Sequence, residues 1–116
     1  MRDVKDTCRI AVVQVTPVMF DKDGCLEKAL RLIDESADHG AELVVFPELF
    51  IPGYPYGMTF GFTVGSRKAP GREDWKHYYD NSLLSDGPEM QQLIAKAAER
   101  NVYLSIGYSK IGRAHV

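Results

Sequence analysis

The sequence predicts an α/β fold, and three observations carry that reading. Residues 9–15 (Arg-Ile-Ala-Val-Val-Gln-Val) and 43–46 (Leu-Val-Val-Phe) are short, nearly unbroken apolar runs rich in β-branched residues. Such runs mark strands buried in a sheet. Between them, residues 21–39 repeat apolar side chains at helical spacing. Pro17, Gly40 and Pro47 stand where these segments end. Strand, helix and strand with short joints make a β-α-β unit, which calls for parallel strands and a right-handed crossover.

In the first strand, Gln14 is the one polar interruption, and a buried amide there would satisfy a backbone group. Thr16-Pro17 closes it, because proline has no N–H to give the ladder. The helix that follows places Leu26, Ala29, Leu30, Ile33 and Ala37 on one face. Asp21 and Asp23 suit its first turn and Gly40 its stop, with His39 serving the helix end or solvent. The second strand reads as buried on both faces and ends at Pro47.

Glu48 then falls where a buried strand opens into a loop stiffened by Pro52 and Pro55 and given a free turn by Gly53. An isolated glutamate after a strand is ordinarily a solvated loop residue. Here Leu49, Phe50 and Ile51 follow it, and an apolar neighbourhood of that kind tunes carboxyl groups for general acid–base work. Ligand sites in parallel sheets also lie beyond the strands' carboxyl ends. Glu48 is therefore the best catalytic candidate in the chain.

Residues 54–70 are rich in glycine and aromatics, including Tyr56, Met58, Phe60 and Phe62. They read either as a long surface loop or as a pocket wall. Residues 71–81 form a short helix with a mixed-charge face, in which Trp75, Tyr78 and Tyr79 pack and His77 is structural or solvated. A second amphipathic helix covers 88–100, with Pro88 at its first position, Asp86 or Gly87 as cap, and Met90, Leu93, Ile94, Ala97 and Ala98 as the buried stripe. Residues 102–108 make a third strand.

Composition narrows the function classes. The chain has 116 residues, 45% of them hydrophobic and 26% charged, with a net charge of −2. That describes a soluble globular protein without the basic stripe a nucleic-acid partner needs. No apolar run reaches the ~18 residues of a membrane span. The opening Met1-Arg2-Asp3-Val4-Lys5-Asp6 is too charged to lead a secretory signal, so the cytoplasm is the default location. Cys8, opening the first strand, and Cys25, early in the helix, have neither metal-ligand nor disulfide spacing and read as buried or half-buried thiols.

Gly40, Leu43-Val44, Phe46, Glu48, Ile51 and Gly53-Tyr54-Pro55 together resemble the nitrilase, or carbon–nitrogen hydrolase, superfamily around its catalytic glutamate. The resemblance covers nearly all of residues 8–110 and about the first third of a family domain. It implies the N-terminal part of a nitrilase-type four-layer α-β-β-α sandwich. It also implies that Glu48 is the general base for a cysteine nucleophile, with a lysine stabilising charge, both downstream of this segment. The aromatic stretch after Gly53-Tyr54-Pro55 is similar to one in the nitrilase branch, which favours the pocket wall and makes Tyr54 a substrate-binding candidate. The expected substrate is a small nitrile or amide, with no metal or organic cofactor, and the full-length parent is expected to be a homo-oligomer.

Two alternatives stay open: an amidase or carbamoylase of the same superfamily, and a catalytically incompetent fragment with at most a binding role. A Rossmann-type nucleotide binder is remote, since no Gly-x-Gly-x-x-Gly follows Val15. Residues 1–110 are read as the N-terminal portion of the hydrolase domain. Residues 111–116 (Ile-Gly-Arg-Ala-His-Val) read as a non-native tail, a translated sequencing adapter. The isolated chain is expected to be inactive and poorly folded.

Overall fold

Asp21 starts the first helix: its side chain accepts the Gly24 N–H at 2.9 Å, in the manner of an N-cap. From there α1 runs over Lys22–Asp38 in the computed structural model, which describes residues 5–55 and 69–111. It stops at His39, whose N–H returns to the carbonyls of Glu35 and Ser36, while its Nδ1 lies 2.8 Å from the Glu35 carbonyl oxygen. Gly40 follows at φ +86, a left-handed conformation that costs glycine nothing.

Three strands, β1 (Ile10–Val12), β2 (Leu43–Val45) and β3 (Tyr103–Ser105), form one parallel sheet in the order β1-β2-β3. Ile10 pairs with Leu43 and Leu43 with Tyr103, so the rows Ala11, Val44, Leu104 and Val12, Val45, Ser105 each run across the sheet. Two further helices, α2 (Ala69–Asp80) and α3 (Pro88–Arg100), separate β2 from β3. α3 starts with Pro88 behind Gly87 and ends at Asn101 in a left-handed conformation.

α1 and α3 pack side by side on the face that carries Ala11, Val44 and Leu104. Cys25, Leu26, Ala29 and Ile33 of α1 and Leu93 of α3 are buried there with Val13, Val44, Phe46, Phe50, Ile51 and Leu83. Lys96 binds Asp34 at 3.0 Å, and Arg100 contacts Asp34 and Asp38, tying the two helices along their outer seam. The opposite sheet face is bare among the described residues: Val12 is 76% exposed, Tyr103 58% and Ile10 51%.

Several expectations are corrected. The strands are shorter than their apolar runs, because β1 leaves the ladder after the Val13 N–H donates to Val45 O. Gln14 is exposed, not buried, and Cys8 is exposed ahead of β1. β2 is not buried on both faces: Val44 is sealed under the helices, while Leu43 and Val45 on the bare side are half-buried. In α3 only the Met90, Leu93, Ala97 row turns inward; Ile94 and Ala98 are exposed, because α3 meets the rest of the fold along a narrow stripe. Trp75 and Tyr79 of α2 are exposed and stack on each other, with centroids 5.2 Å apart. The tail residues 112–116 and the stretch 56–68, with Tyr56, Met58, Phe60 and Phe62, lie outside the described residues.

Candidate functional site

The carboxyl ends of all three strands meet at one edge of the sheet, and the loop after β2 occupies its centre. Phe46 extends the ladder by one bond, its N–H donating to Ser105 O at 2.8 Å. Its ring is buried against Phe50, with centroids 5.1 Å apart. The ladder resumes at Ile51, which pairs with Tyr108 and accepts the Ser109 N–H at 2.8 Å. Between these contacts one strand has residues 47, 48, 49 and 50, whereas its partner has only 106 and 107. Four residues opposite two is a special, enlarged bulge, and bulges re-aim side chains out of the sheet. Glu48 sits on this one, exposed.

The bulge is shaped by three special backbone positions. Pro47 supplies no N–H, so nothing draws the chain back to β3 there. Leu49 has φ +47, an unusual conformation for a branched residue that costs about 1–2 kcal/mol and survives only where its surroundings enforce it. The enforcement comes from Phe50 and Ile51, both fully buried beside it. The apolar residues that follow Glu48 therefore fill the core beneath the turn; they do not surround the carboxylate, as the sequence reading supposed. Gly107 backs the turn: a Cβ built on it would lie 2.6 Å from Leu49 N and 3.1 Å from Glu48 Cα.

Tyr54 closes the same loop and is also exposed. Gly53, at φ +109, donates its N–H to Leu49 O at 3.0 Å, so a single turn joins Glu48 to Tyr54. Pro52, after a cis peptide bond, accepts the Phe20 N–H at 3.0 Å, which brings in the segment after β1. The Tyr78 hydroxyl of α2 donates to Gly53 O at 3.0 Å. Burial pushes the Tyr78 phenol up, with a hydrogen bond from the Ser109 side chain opposing it. Phe20 lies edge-on to the Tyr78 ring and 4.9 Å from that of His77. Buried Ser82 hydrogen-bonds Ser109 Oγ at 2.8 Å, and Leu83 donates to Ser109 O.

The structure thus places both predicted residues, Glu48 and Tyr54, on one loop at the expected edge. It brings neither cysteine to them. Cys8 precedes the amino end of β1, the opposite end of a parallel sheet. Cys25 is sealed in the core with its thiol donating to Val18 O, and burial holds that thiol above its ordinary range against the pull of this bond. Among the described residues no three His, Cys, Asp or Glu side chains gather as a metal site. Sequence reasoning missed Gly107 and Phe20, and at Tyr78 it reached the packing of the ring but not the hydroxyl contact to Gly53 O. Gly107 carried a usable signal, since a lone glycine in a strand-like run often marks close backbone approach.

Comparison with known proteins covers nearly the whole described segment. A family model described as carbon-nitrogen hydrolase matches residues 9–112. The chain is 46% identical over 101 residues to a bifunctional nitrilase/nitrile hydratase of Nicotiana tabacum, covering 87% of this chain and 29% of that protein. It is 40% identical over 105 residues to nitrilase 3 of Arabidopsis thaliana, covering 90% and 30%. With an aliphatic nitrilase of Sinorhizobium fredii (strain HH103) it shares 42% identity over 99 residues, covering 85% and 32%. The chain spans about three-tenths of the length of these curated relatives.

Proposed function

The chain belongs to the carbon–nitrogen hydrolase family, and from that premise we propose that the protein carrying it hydrolyses a nitrile to a carboxylic acid and ammonia, with Glu48 as general base. The observation that carries this reading is an exposed carboxylate held on a strained bulge at the carboxyl edge of a parallel sheet. The family resemblance supplies the partners, a cysteine and a lysine outside the described residues, within a four-layer sandwich that assembles as a homo-oligomer. The names of the similar proteins point to nitriles as the substrate class.

Glu48 takes the thiol proton as the sulfur adds to the nitrile carbon and passes it to the nitrogen, which gives a thioimidate and returns Glu48 as carboxylate. The lysine ammonium stabilises charge developing on that nitrogen. Water, deprotonated by Glu48, then adds to the thioimidate carbon. Loss of ammonia leaves a thioester, and a second water releases the acid and restores the thiol. Loss of the thiol from the same tetrahedral adduct would release the amide instead, the product of a nitrile hydratase, an activity in the name of the tobacco relative. Tyr54, on the same loop, lines the substrate site.

The test is Glu48→Gln in a full-length protein carrying this segment. Because the side chain is exposed, folding should be unchanged while kcat/KM for a nitrile falls about 10²–10⁴-fold. Retained activity would remove Glu48 from the chemistry. Product analysis separates acid from amide, and turnover of amides without nitriles would move the assignment to an amidase or carbamoylase.

A further inference from the structure

We propose that Gly107 is a positioning residue for Glu48: the bare backbone of the β3 strand extension forms the wall against which the Glu48 bulge is set. This rests on the reading of Glu48 as the base, and it assigns a role to a residue on a different strand.

The geometry is specific. All three atoms nearest to a Cβ built at residue 107 are main-chain atoms of the bulge: Leu49 N at 2.6 Å, Glu48 Cα at 3.1 Å and Glu48 C at 3.2 Å. Side chains can swing away from a new methyl group, but main chain can yield only by moving the whole turn. The turn has little freedom to move. It is pinned before by Phe46 N–H to Ser105 O and after by Ser109 N–H to Ile51 O, and beneath it Phe50 and Ile51 are buried. Leu49 at φ +47 is already in a costly conformation. Added volume at 107 must therefore be taken up where the constraint is weakest, on the exposed side, by pushing Glu48 outward. A base acts over hydrogen-bond distances, so an outward shift of about 1 Å is enough to uncouple it from its proton.

The experiment uses a full-length protein carrying the segment and a nitrile substrate. Gly107→Ala should lower kcat by about tenfold to a hundredfold with KM unchanged. In a Glu48→Gln background the same change should have no further effect on the residual rate, because the group it positions is gone. Leu49→Gly, which adds no atoms and frees the strained φ, should also lower kcat and leave KM alone, and it stands in should Gly107→Ala fail to fold. If Gly107→Ala turns over at the wild-type rate, or loses as much in the Glu48→Gln background, Gly107 does not act through Glu48. A wild-type kcat for Leu49→Gly likewise overturns the proposal. Should Glu48→Gln itself stay active, the base reading falls and takes this inference with it. A dead Glu48→Gln beside a fully active Gly107→Ala leaves the base reading intact and sinks this inference alone.

Discussion

Glu48 owes its exposure to its neighbours: Phe50 and Ile51 are driven inward by burial, and the one residue between them and the carboxylate, Leu49, takes the strained conformation that lets the chain turn. In the sequence these residues are legible as apolar flanks, but periodicity cannot tell whether flanks enclose a carboxylate or sink beneath it. At Gly107 the sequence signals a close backbone approach but not which residues approach, for a related reason. Its neighbours Ile106 and Tyr108 continue a strand-like alternation, and the residues it touches lie far away along the chain. In the sequence Tyr78 reads as a packing residue, and its half-buried ring agrees, but its hydroxyl also holds Gly53 O. Tyr78→Phe keeps the ring and removes that bond, at a cost of about 1 kcal/mol. A full-length protein with this change should melt a few degrees lower and, because Tyr54 follows Gly53, bind a nitrile with higher KM at unchanged kcat. An unaltered KM would show that the clamp does not reach the substrate.

At the scale of elements, the helices were the legible part. Asp21 caps α1, Pro88 opens α3, and the bounds of α3 match its periodic run, because capping and helical spacing are local properties. The strands were less legible, since where a ladder stops depends on a partner elsewhere in the chain, and β1 stops when it parts from β2. The contacts that tie the helix ends to one another were not legible at all. The Lys22 N–H donates to Asn81 Oδ1, and Lys22 Nζ meets Glu89 Oε1 at 3.0 Å, binding the starts of α1 and α3 to the end of α2. Burial pushes the Glu89 carboxyl up, but the hydrogen bond from Lys22, a backbone hydrogen bond at Glu89 itself and the Lys22 charge together outweigh it, and the group lies below its ordinary range. A carboxyl lowered on folding stabilises the fold fully above its unfolded pKa and loses that contribution as pH falls through the folded one. Glu89→Gln should therefore lower the melting temperature of a full-length protein near neutrality, and the difference should close as pH drops below the ordinary glutamate range. A gap that persists in acid would mean the charge is not what stabilises the joint.

For the molecule as a whole, the sequence shows that β1 and β2 are apolar but not what each face meets. Both runs are nearly continuous, so they look alike whether a sheet is covered once or twice. In the described residues the helices cover one face, and Ile10, Val12 and Tyr103 stand on the other, with β1 as a free edge. A groove of about 410 Å³ runs along β1, lined in part by Leu32, Glu35 and Ser36 of α1. Exposed apolar surface next to an unpaired strand promotes association. The 116-residue chain expressed alone should elute as large species on size exclusion and show no sharp thermal transition. A monomer with a cooperative melt would contradict this.

The bulge also has a history in time. A growing chain emerges amino end first, so Glu48 and its turn leave the ribosome well before residues 105–109 exist to hold them. Until then Phe46 lacks its bond to Ser105, Ile51 lacks its bond to Ser109, and Leu49 has no wall behind it. α1 and the β1–β2 pair can form from what has already been made; the carboxylate cannot be set. The loop is therefore among the last parts of this segment to take its shape during synthesis, and a nascent chain halted short of Gly107 would carry a Glu48 free to wander.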